Sequence, residues 1–439
     1  MCPIAELLHE SGHMVSGSDM NRTDATERLE SLGIKIQYNH SPNLVKKAEL
    51  LVYSSAVKPE NQERKYALEN GTPEMRRAEV LGDLMRTHFT ICVSGTHGKT
   101  TTTSLIGSLF CDARECPTVL VGGMLRNTGA HAVVGRGRIM VVEADEYDRS
   151  FLAMYPSMAI ITNIEEDHLD CYNDLDDIKD SFIRFTQRVP FYGAVIVCID
   201  DPGVKDVISE IRRTIITYGL EKKADYRADN IRMKRGLTDF DCIHKSKLLG
   251  TVSITLPGVH NVRNALATIA AGMEMGVSFE TAAKSLSCFQ GVKRRFEILG
   301  NHGDVAVIDD YAHHPAEIKA TLEAALNGGY KRVIAVFQPH LYSRTRDFMD
   351  GFVSSLSLAD KIVVTDIYKA REVPIEGITA DTIAKRLHLS GHNKVDFIEK
   401  TDSIVAHLMK SVKAGDAVVF MGAGDICNTA VQFAKEMQV

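Results

Sequence analysis

No stretch of this 439-residue chain has the apolar run needed to cross a bilayer, which takes about 20 consecutive apolar positions in a helix. A membrane-spanning helical protein is therefore excluded. The opening residues, MCPIAELLHESGH, lack the basic start, apolar core and small-residue cleavage site of a secretory signal, so the expected compartment is the cytoplasm. The nine cysteines have no CxxC or zinc-type spacing, and their odd number suits reduced thiols better than a disulfide framework. Cys2, Cys92 and Cys198 sit in apolar surroundings. Positive charge is also short: 51 Lys and Arg against 57 Asp and Glu leave a formal charge of −6. Basic pieces such as MRRAEV and GVKRRFE are brief and suit local anion contacts, so no nucleic-acid partner is expected. Neither a short-period repeat nor a low-complexity tract is present. What remains is a globular composition, 44% hydrophobic and 25% charged, at a length that suggests about three domains.

The order of elements predicts an α/β fold. Residues 1–88 alternate helix and strand (AELLHES, HMVSGSD, ATERLESLGI, AELLVYSSAV), as in a small Rossmann-like unit with a parallel sheet. Beginning directly in a helix, this unit reads either as a dinucleotide-type fold whose first strand and glycine loop precede Met1 or as a domain that starts with a helix. Residues 89–292 form a larger block with near-continuous apolar strands HFTICV, RIMVVEAD, MAIITNI and GAVIVCID, the pattern of central parallel strands buried on both faces. An alternating stretch near 225–256 reads as an antiparallel flap, and GVHNVRNALATIAAGMEMG as a closing helix. Residues 293–439 return to the doubly wound style, from VAVIDD and PAEIKATLEAAL to AVVFM and GAGDICNTAVQFAKEM.

Between the strand HFTICV and the helix that follows lies VSGTHGKTTTT, residues 93–103. Gly95 and Gly98 let the backbone curl its N–H groups onto an anion, to which the helix adds its positive N-terminal end. Lys99 supplies a mobile point charge for β and γ phosphates, and Thr100 a hydroxyl able to ligate Mg²⁺. The usual phosphate loop has a glycine six residues before the lysine, where this chain has Val93, so the turn is a shorter variant.

Acidic residues follow the next two strands. RIMVVE delivers Glu143, with Asp145 and Glu146 behind it, where a carboxylate can meet the metal of a phosphate loop. MAIITNI opens into EEDHLD, placing His168 among Glu165, Glu166, Asp167 and Asp170 as a metal ligand or its support. In the last block Asp309 and Asp310 precede Tyr311, His313 and His314, while the strand RVIAVFQ leads to His340, Tyr342, Ser343, Arg344 and Arg346. Two such loops in one small domain suggest a substrate site. GAGD, residues 422–425, is a weaker anion-turn signal.

The ordered set GTHGKTTTT, EADE, TNIEEDHLD, PGVHNVRNA, RRFE, DDYAHHP, FQPHLYSRT and GAGDI resembles the Mur ligases over nearly the whole chain. The likeness is strongest to the branch that joins L-alanine to UDP-N-acetylmuramate in peptidoglycan precursor synthesis. The resemblance implies an N-terminal UDP-binding unit, a central ATPase and a C-terminal Rossmann-like unit. It also implies an ATP-dependent ligase reaction: ATP phosphorylates the lactyl carboxylate, and the amine attacks the acyl phosphate to give an amide, ADP and phosphate. Carried over by motif, Gly95, Thr96, His97, Gly98, Lys99, Thr100 and Thr101 would hold ATP, with His260, Asn261 and Asn264 on the adenine side. Thr100, Glu143 and His168 would arrange Mg²⁺, or Mn²⁺ in its place. Arg295 and Asp309 would reach the nucleotide from the C-terminal unit, and Tyr311, His313, His340 and Arg344 would line the amino-acid site. Ser18, Asp19, Ser54, Ser55 and Ala56 match the uridine side. Small-molecule substrates and a monomer or homodimer are expected.

Three departures from the family pattern stand out. The glycine-rich pyrophosphate loop at the family's start is absent, Leu341 stands where many members have a second arginine, and DSFIRFTQRVPFYG has no lysine to be carbamylated. Two alternatives stay open: a recycling ligase that attaches an intact tripeptide to the same nucleotide sugar, and a nucleotide-binding copy without ligase activity.

Overall fold

A computed structural model describes residues 1–125, 130–168, 171–370 and 372–438. The fold is α/β, and packing groups the chain into two compact units. The first contains Met1–Arg227, Ile243–Lys247 and Asn264–Ser285; the second contains Ala228–Cys242, Leu248–Arg263 and Leu286–Val439.

The first unit is organised by a sheet in the order Thr214–Gly219, Ala194–Cys198, Met158–Ile161, Phe89–Ser94, Ile139–Glu143, Thr118–Leu125, Ala130–Val133. All neighbours are parallel except the last pair, which is antiparallel. The strands Thr118–Leu125, Ala130–Val133 and Thr214–Gly219 go beyond those expected from the apolar runs. Val93 pairs with Glu143 and Ser94 with Ile161, so the three central strands end level and their following loops share one edge, where ligands of parallel sheets gather. The core beneath this edge contains Cys92, Met140, Val142, Ala159, Ile161, Phe151, Phe182 and Phe185, with the last three in ring contact.

Residues 1–88 do not form the single sheet expected of them. Ser16–Ser18 pairs with Lys35–Gln37 and, separately, Leu51–Tyr53 pairs with Glu74–Arg76. Each strand is three residues long, too short for an extensive ladder, and Ile4, Leu7, Val80, Leu81 and Met85 bury themselves in the larger core instead.

The second unit has a six-stranded sheet in the order Glu297–His302, Val305–Asp310, Asp416–Met421, Arg332–Phe337, Lys361–Val364, Val395–Phe397. Only the first pair is antiparallel, and Glu297–His302 is a strand absent from the sequence reading. Alternation along the strands builds two cores. Ile308, Val333, Ala335 and Phe337 pack with Ile318, Leu322, Phe352, Leu356, Ile383 and Leu387 of three helices on one face. Val307, Ile334, Val336 and Phe420 pack with Ile404, Leu408, Ile426 and Phe433 of two helices on the other. This is a doubly wound layer. The alternating segment near 225–256 forms the successive strands Tyr226–Lys234, Leu237–His244 and Lys247–Ile254. Among the described residues no helix is long and apolar enough to cross a membrane.

Candidate functional site

In the first unit, the loop after Phe89–Ser94 runs into the helix Lys99–Asp112, whose N-cap is Gly98 in the left-handed region at φ +83°. A Cβ on Gly98 would stand 2.9 Å from Asn264 Oδ1, which places Asn264 against the loop. Gly95, at φ +135°, is more constrained still, for a Cβ there would stand 2.0 Å from Thr162 Oγ1. Only glycine satisfies both the conformation and the space.

The loop is clamped by the neighbouring strand end. The His97 N–H donates to Asn163 Oδ1 at 2.8 Å, Thr162 Oγ1 donates to the His97 carbonyl at 2.6 Å, and the Glu165 N–H donates to Thr96 Oγ1 at 2.9 Å. Thr96, Thr100 and Thr101 are buried. Thr162 and Asn163 open the TNIEEDHLD segment, which was the signal for them, but they carry no charge and were given no role in the sequence reading.

Lys99 Nζ donates to the Gly95 carbonyl at 2.7 Å and lies 2.7 Å from both oxygens of Glu146. Burial lowers the lysine's affinity for its proton, but Glu146 and Asp145 outweigh it and hold the ammonium above its ordinary value. Burial pushes the Glu146 carboxyl up to about 7, against the pull of Lys99. Thr100 Oγ1 donates to Glu143 Oε1 at 3.0 Å, and Glu143 Oε2 accepts the Gly122 N–H at 2.7 Å.

His168 has φ +55°, with its Nε2 3.7 Å from Glu146 and 3.9 Å from Asp167. Asp145, Glu146 and His168 bring their donor atoms within 4.8 Å of one another. The expected metal residues thus occupy two neighbouring arrangements: a hydroxyl–carboxylate pair at Thr100 and Glu143, and His168 beside Asp145 and Glu146. Hard oxygen donors with one imidazole suit Mg²⁺ or Mn²⁺. Asp170 of the same acidic cluster lies outside the described residues.

On the uridine-side strand ends, Ser18 Oγ donates to Glu63 Oε2 at 2.7 Å, and Glu63 also accepts from Gln37 Nε2 at 3.2 Å. His40 Nδ1 lies 3.1 Å from Glu63. Asp19 is exposed and accepts the Asn21 N–H, while Ser54, Ser55 and Ala56 lie in a turn closed by the Val57 N–H on the Ser54 carbonyl. Buried Glu63 was not among the expected residues.

In the second unit, His260 and Asn261 lie at the start of the helix Val259–Glu274. Burial lowers His260 to about 4, helped by Arg263 and Arg295, so this imidazole is neutral at pH 7. Asn261 Nδ2 donates to the Pro257 carbonyl at 2.7 Å. Arg295 faces Glu317 at 3.5 Å, and its neighbour Arg294 is the arginine that faces Asp309, at 3.5 Å. Burial raises Asp309 to about 7 and Asp310 to about 6, while Arg294 and Arg295 respectively draw them back. Both guanidinium groups lie over the Tyr311 ring, at 4.9 and 5.3 Å.

Tyr311, His313, His340 and Tyr368 form a chain of ring contacts at 5.2, 5.8 and 5.9 Å. His313 Nδ1 lies 2.9 Å from the Tyr311 carbonyl, and a hydrogen bond to that oxygen makes Nε2 the basic nitrogen. Arg344 sits on the short helix Tyr342–Asp347, at whose start Ser343 donates from N and Oγ to Glu372. Burial opposes ionisation of Glu372, yet these bonds hold its carboxyl below the ordinary value. Glu372 was invisible to motif reading because its partner lies 29 positions away. The GAGD turn has a packing role: Gln338 joins Asp425 at 2.7 Å, and a Cβ on Gly424 would stand 2.4 Å from Gln338 Oε1.

Comparison with known proteins covers the same segments. Residues 1–89 match the Mur ligase family catalytic domain, 93–272 the Mur ligase middle domain, and 294–424 the Mur ligase glutamate ligase domain. The UDP-N-acetylmuramate--L-alanine ligase of Salinibacter ruber is 47% identical over 440 residues, covering 100% of this chain and 93% of that protein. The protein of the same name from Geotalea uraniireducens is 44% identical, at 100% and 96% coverage. Among solved structures, the UDP-N-acetylmuramate-alanine ligase of Thermotoga maritima aligns with a TM-score of 0.84 at 29% identity, covering 100% of this chain and 96% of that one. A murein peptide ligase from Psychrobacter arcticus gives 0.69 at 27% identity, with 99% and 96% covered.

Proposed function

The chain belongs to the Mur ligase family, and on that premise we propose that it is an ATP-dependent ligase joining L-alanine to the lactyl carboxylate of UDP-N-acetylmuramate. The observation that carries the chemistry is the phosphate loop with Lys99 at its centre and the Thr100–Glu143 pair beside it, at the shared edge of three parallel strands. Phosphoryl transfer needs positioning and charge neutralisation more than covalent help, and this corner supplies both.

In this reading residues 1–88 bind the UDP-sugar, with Ser18, Asp19, Ser54, Ser55 and Ala56 on its uridine side; residues 89–292 bind ATP; and residues 293–439 bind the amino acid. The loop N–H groups and Lys99 take the β and γ phosphates, while His260, Asn261 and Asn264 serve the adenine side and Arg295 and Asp309 the rest of the nucleotide. Thr100, Glu143 and His168 would hold Mg²⁺, which, when bound, neutralises charge on the phosphate oxygens. Tyr311, His340 and Arg344 receive alanine, and His313, with its basic Nε2, takes the proton that the attacking amine must lose. The activity belongs to the cytoplasm, where ATP is available.

The higher TM-score against the alanine ligase than against the murein peptide ligase supports a single amino acid over a tripeptide as the acceptor. Phosphate release with ATP and UDP-N-acetylmuramate, in parallel with L-alanine, L-serine, glycine and the tripeptide, tests the reading. L-alanine is expected to support the fastest turnover; release with none of them would end the ligase assignment, and release with the tripeptide alone would move it to the recycling reaction.

A further inference from the structure

Lys99 has three ammonium hydrogens and four acceptors around them: both Glu146 oxygens at 2.7 Å, the Gly95 carbonyl at 2.7 Å and the Thr96 carbonyl at 3.2 Å. Asp145 stands 3.8 Å away. The pair is secluded, the side chain of Glu146 being 3% exposed and that of Lys99 12%. Every N–H of the lysine is directed into the protein, so a phosphate can take this charge only by displacing an acceptor already in place.

The Gly95 and Thr96 carbonyls belong to the loop itself, which leaves Glu146 as the separable partner. Its backbone is pinned from behind. The Tyr172 hydroxyl donates to the Glu146 carbonyl at 2.6 Å, and the Arg149 N–H donates to the same oxygen at 3.0 Å. Glu146 therefore keeps its place while the long lysine side chain turns.

We propose that Glu146 is a positioning residue of the nucleotide site, a resident counter-ion that holds Lys99 inside the loop and that the β and γ phosphates must outcompete. This rests on the reading that the loop binds ATP. Two costs follow from the carboxylate: a secluded ion pair is broken, and a polyphosphate is brought beside a fixed negative charge. Neutralising Glu146 removes both costs, while an amide oxygen in the same place still accepts from Lys99.

The test is calorimetric titration of ADP in EDTA against wild type, Glu146→Gln and Glu146→Asp. Glu146→Gln is expected to bind ADP about tenfold more tightly than wild type, and Glu146→Asp, whose charge is drawn back by one methylene, more tightly by a smaller factor. If Glu146→Gln does not fold, tightening in Glu146→Asp alone carries the proposal, and its absence overturns it. Wild type that binds ADP beside variants that bind no more tightly removes the role of Glu146 and leaves the nucleotide reading intact. Wild type that does not bind ADP removes both.

Discussion

The phosphate corner of the first unit and the histidine corner of the second are built by opposite means. At the phosphate corner the backbone makes the site: Gly95 and Gly98 at positive φ, a helix N-terminus, and a loop clamped to the neighbouring strand end through Asn163 and Thr96. Its side chains are already engaged with one another, Lys99 in an ion pair with Glu146 and the Thr100 hydroxyl donating to Glu143. At the histidine corner side chains make the site. Tyr311, His313, His340 and Tyr368 come from three separate loops; Glu317 backs His313, and Glu372 holds Ser343 at the start of the helix that carries Arg344. A backbone device fails as a whole when one glycine changes, whereas a side-chain device loses function in parts.

The sharpest way to break this contrast is Gly95→Ala. The added methyl would stand 2.0 Å from Thr162 Oγ1 on a backbone at φ +135°, so we expect ADP binding to disappear and stability to fall by about 3 kcal/mol or more. Calorimetry and a thermal melt read the two losses. ADP affinity within about threefold of wild type would mean that the loop tolerates a side chain and that the backbone account is wrong.

The same contrast explains what could be read from the sequence. The phosphate loop was legible because its parts are contiguous and each residue type has a physical reason to stand where it does. Glu143 and His168 were legible as groups placed past strand ends. The doubly wound second unit followed from its apolar strands, although Glu297–His302 escaped because its side chains are mostly half-exposed. The pairings were not legible. Nothing in RRFE says that Arg294 faces Asp309 while Arg295 turns to Glu317, because that choice is made when the loop packs against Val305–Asp310. Glu63, Glu372 and Asn163 were given no role for the same reason: each is a common residue made special by a partner 23 or more positions away.

Arg344→Ala is expected to show the partial failure of a side-chain device. The KM for L-alanine should rise about 100-fold, with ADP affinity unchanged, because only the amino-acid corner loses a group. Steady-state kinetics beside ADP calorimetry separates these outcomes, and an equal loss in both would unite the corners. Glu372→Gln should act more weakly in the same direction. The amide oxygen can replace only one of the two carboxylate acceptors, so the hydrogen bond from Ser343 Oγ is kept while the one from its N–H is lost, the start of the helix carrying Arg344 loosens and the alanine KM rises about fivefold. An alanine KM unchanged in this variant would make Glu372 a bystander.

The smallest expected effect concerns protons. Burial raises Asp309 to about 7, so between its ordinary value of 3.8 and about 7 the folded chain holds this proton more tightly than the unfolded one. The resulting stability is complete below the ordinary value and is lost as pH rises through about 7. Wild-type melting alone cannot isolate it, because burial raises Glu146 at the phosphate corner to about 7 as well. His260, lowered to about 4, acts with the opposite sign as pH falls. Both contributions cancel in the difference between wild type and Asp309→Asn, which therefore reads Asp309 together with its coupled neighbour Asp310, raised to about 6. The variant should gain a few degrees in Tm relative to wild type between about pH 5 and pH 8, the size expected for about 1 kcal/mol in a unit of this length. A difference that stays flat across that range would mean that Arg294 keeps Asp309 ionised throughout, making the pair at the histidine corner as self-neutralised as Lys99 and Glu146.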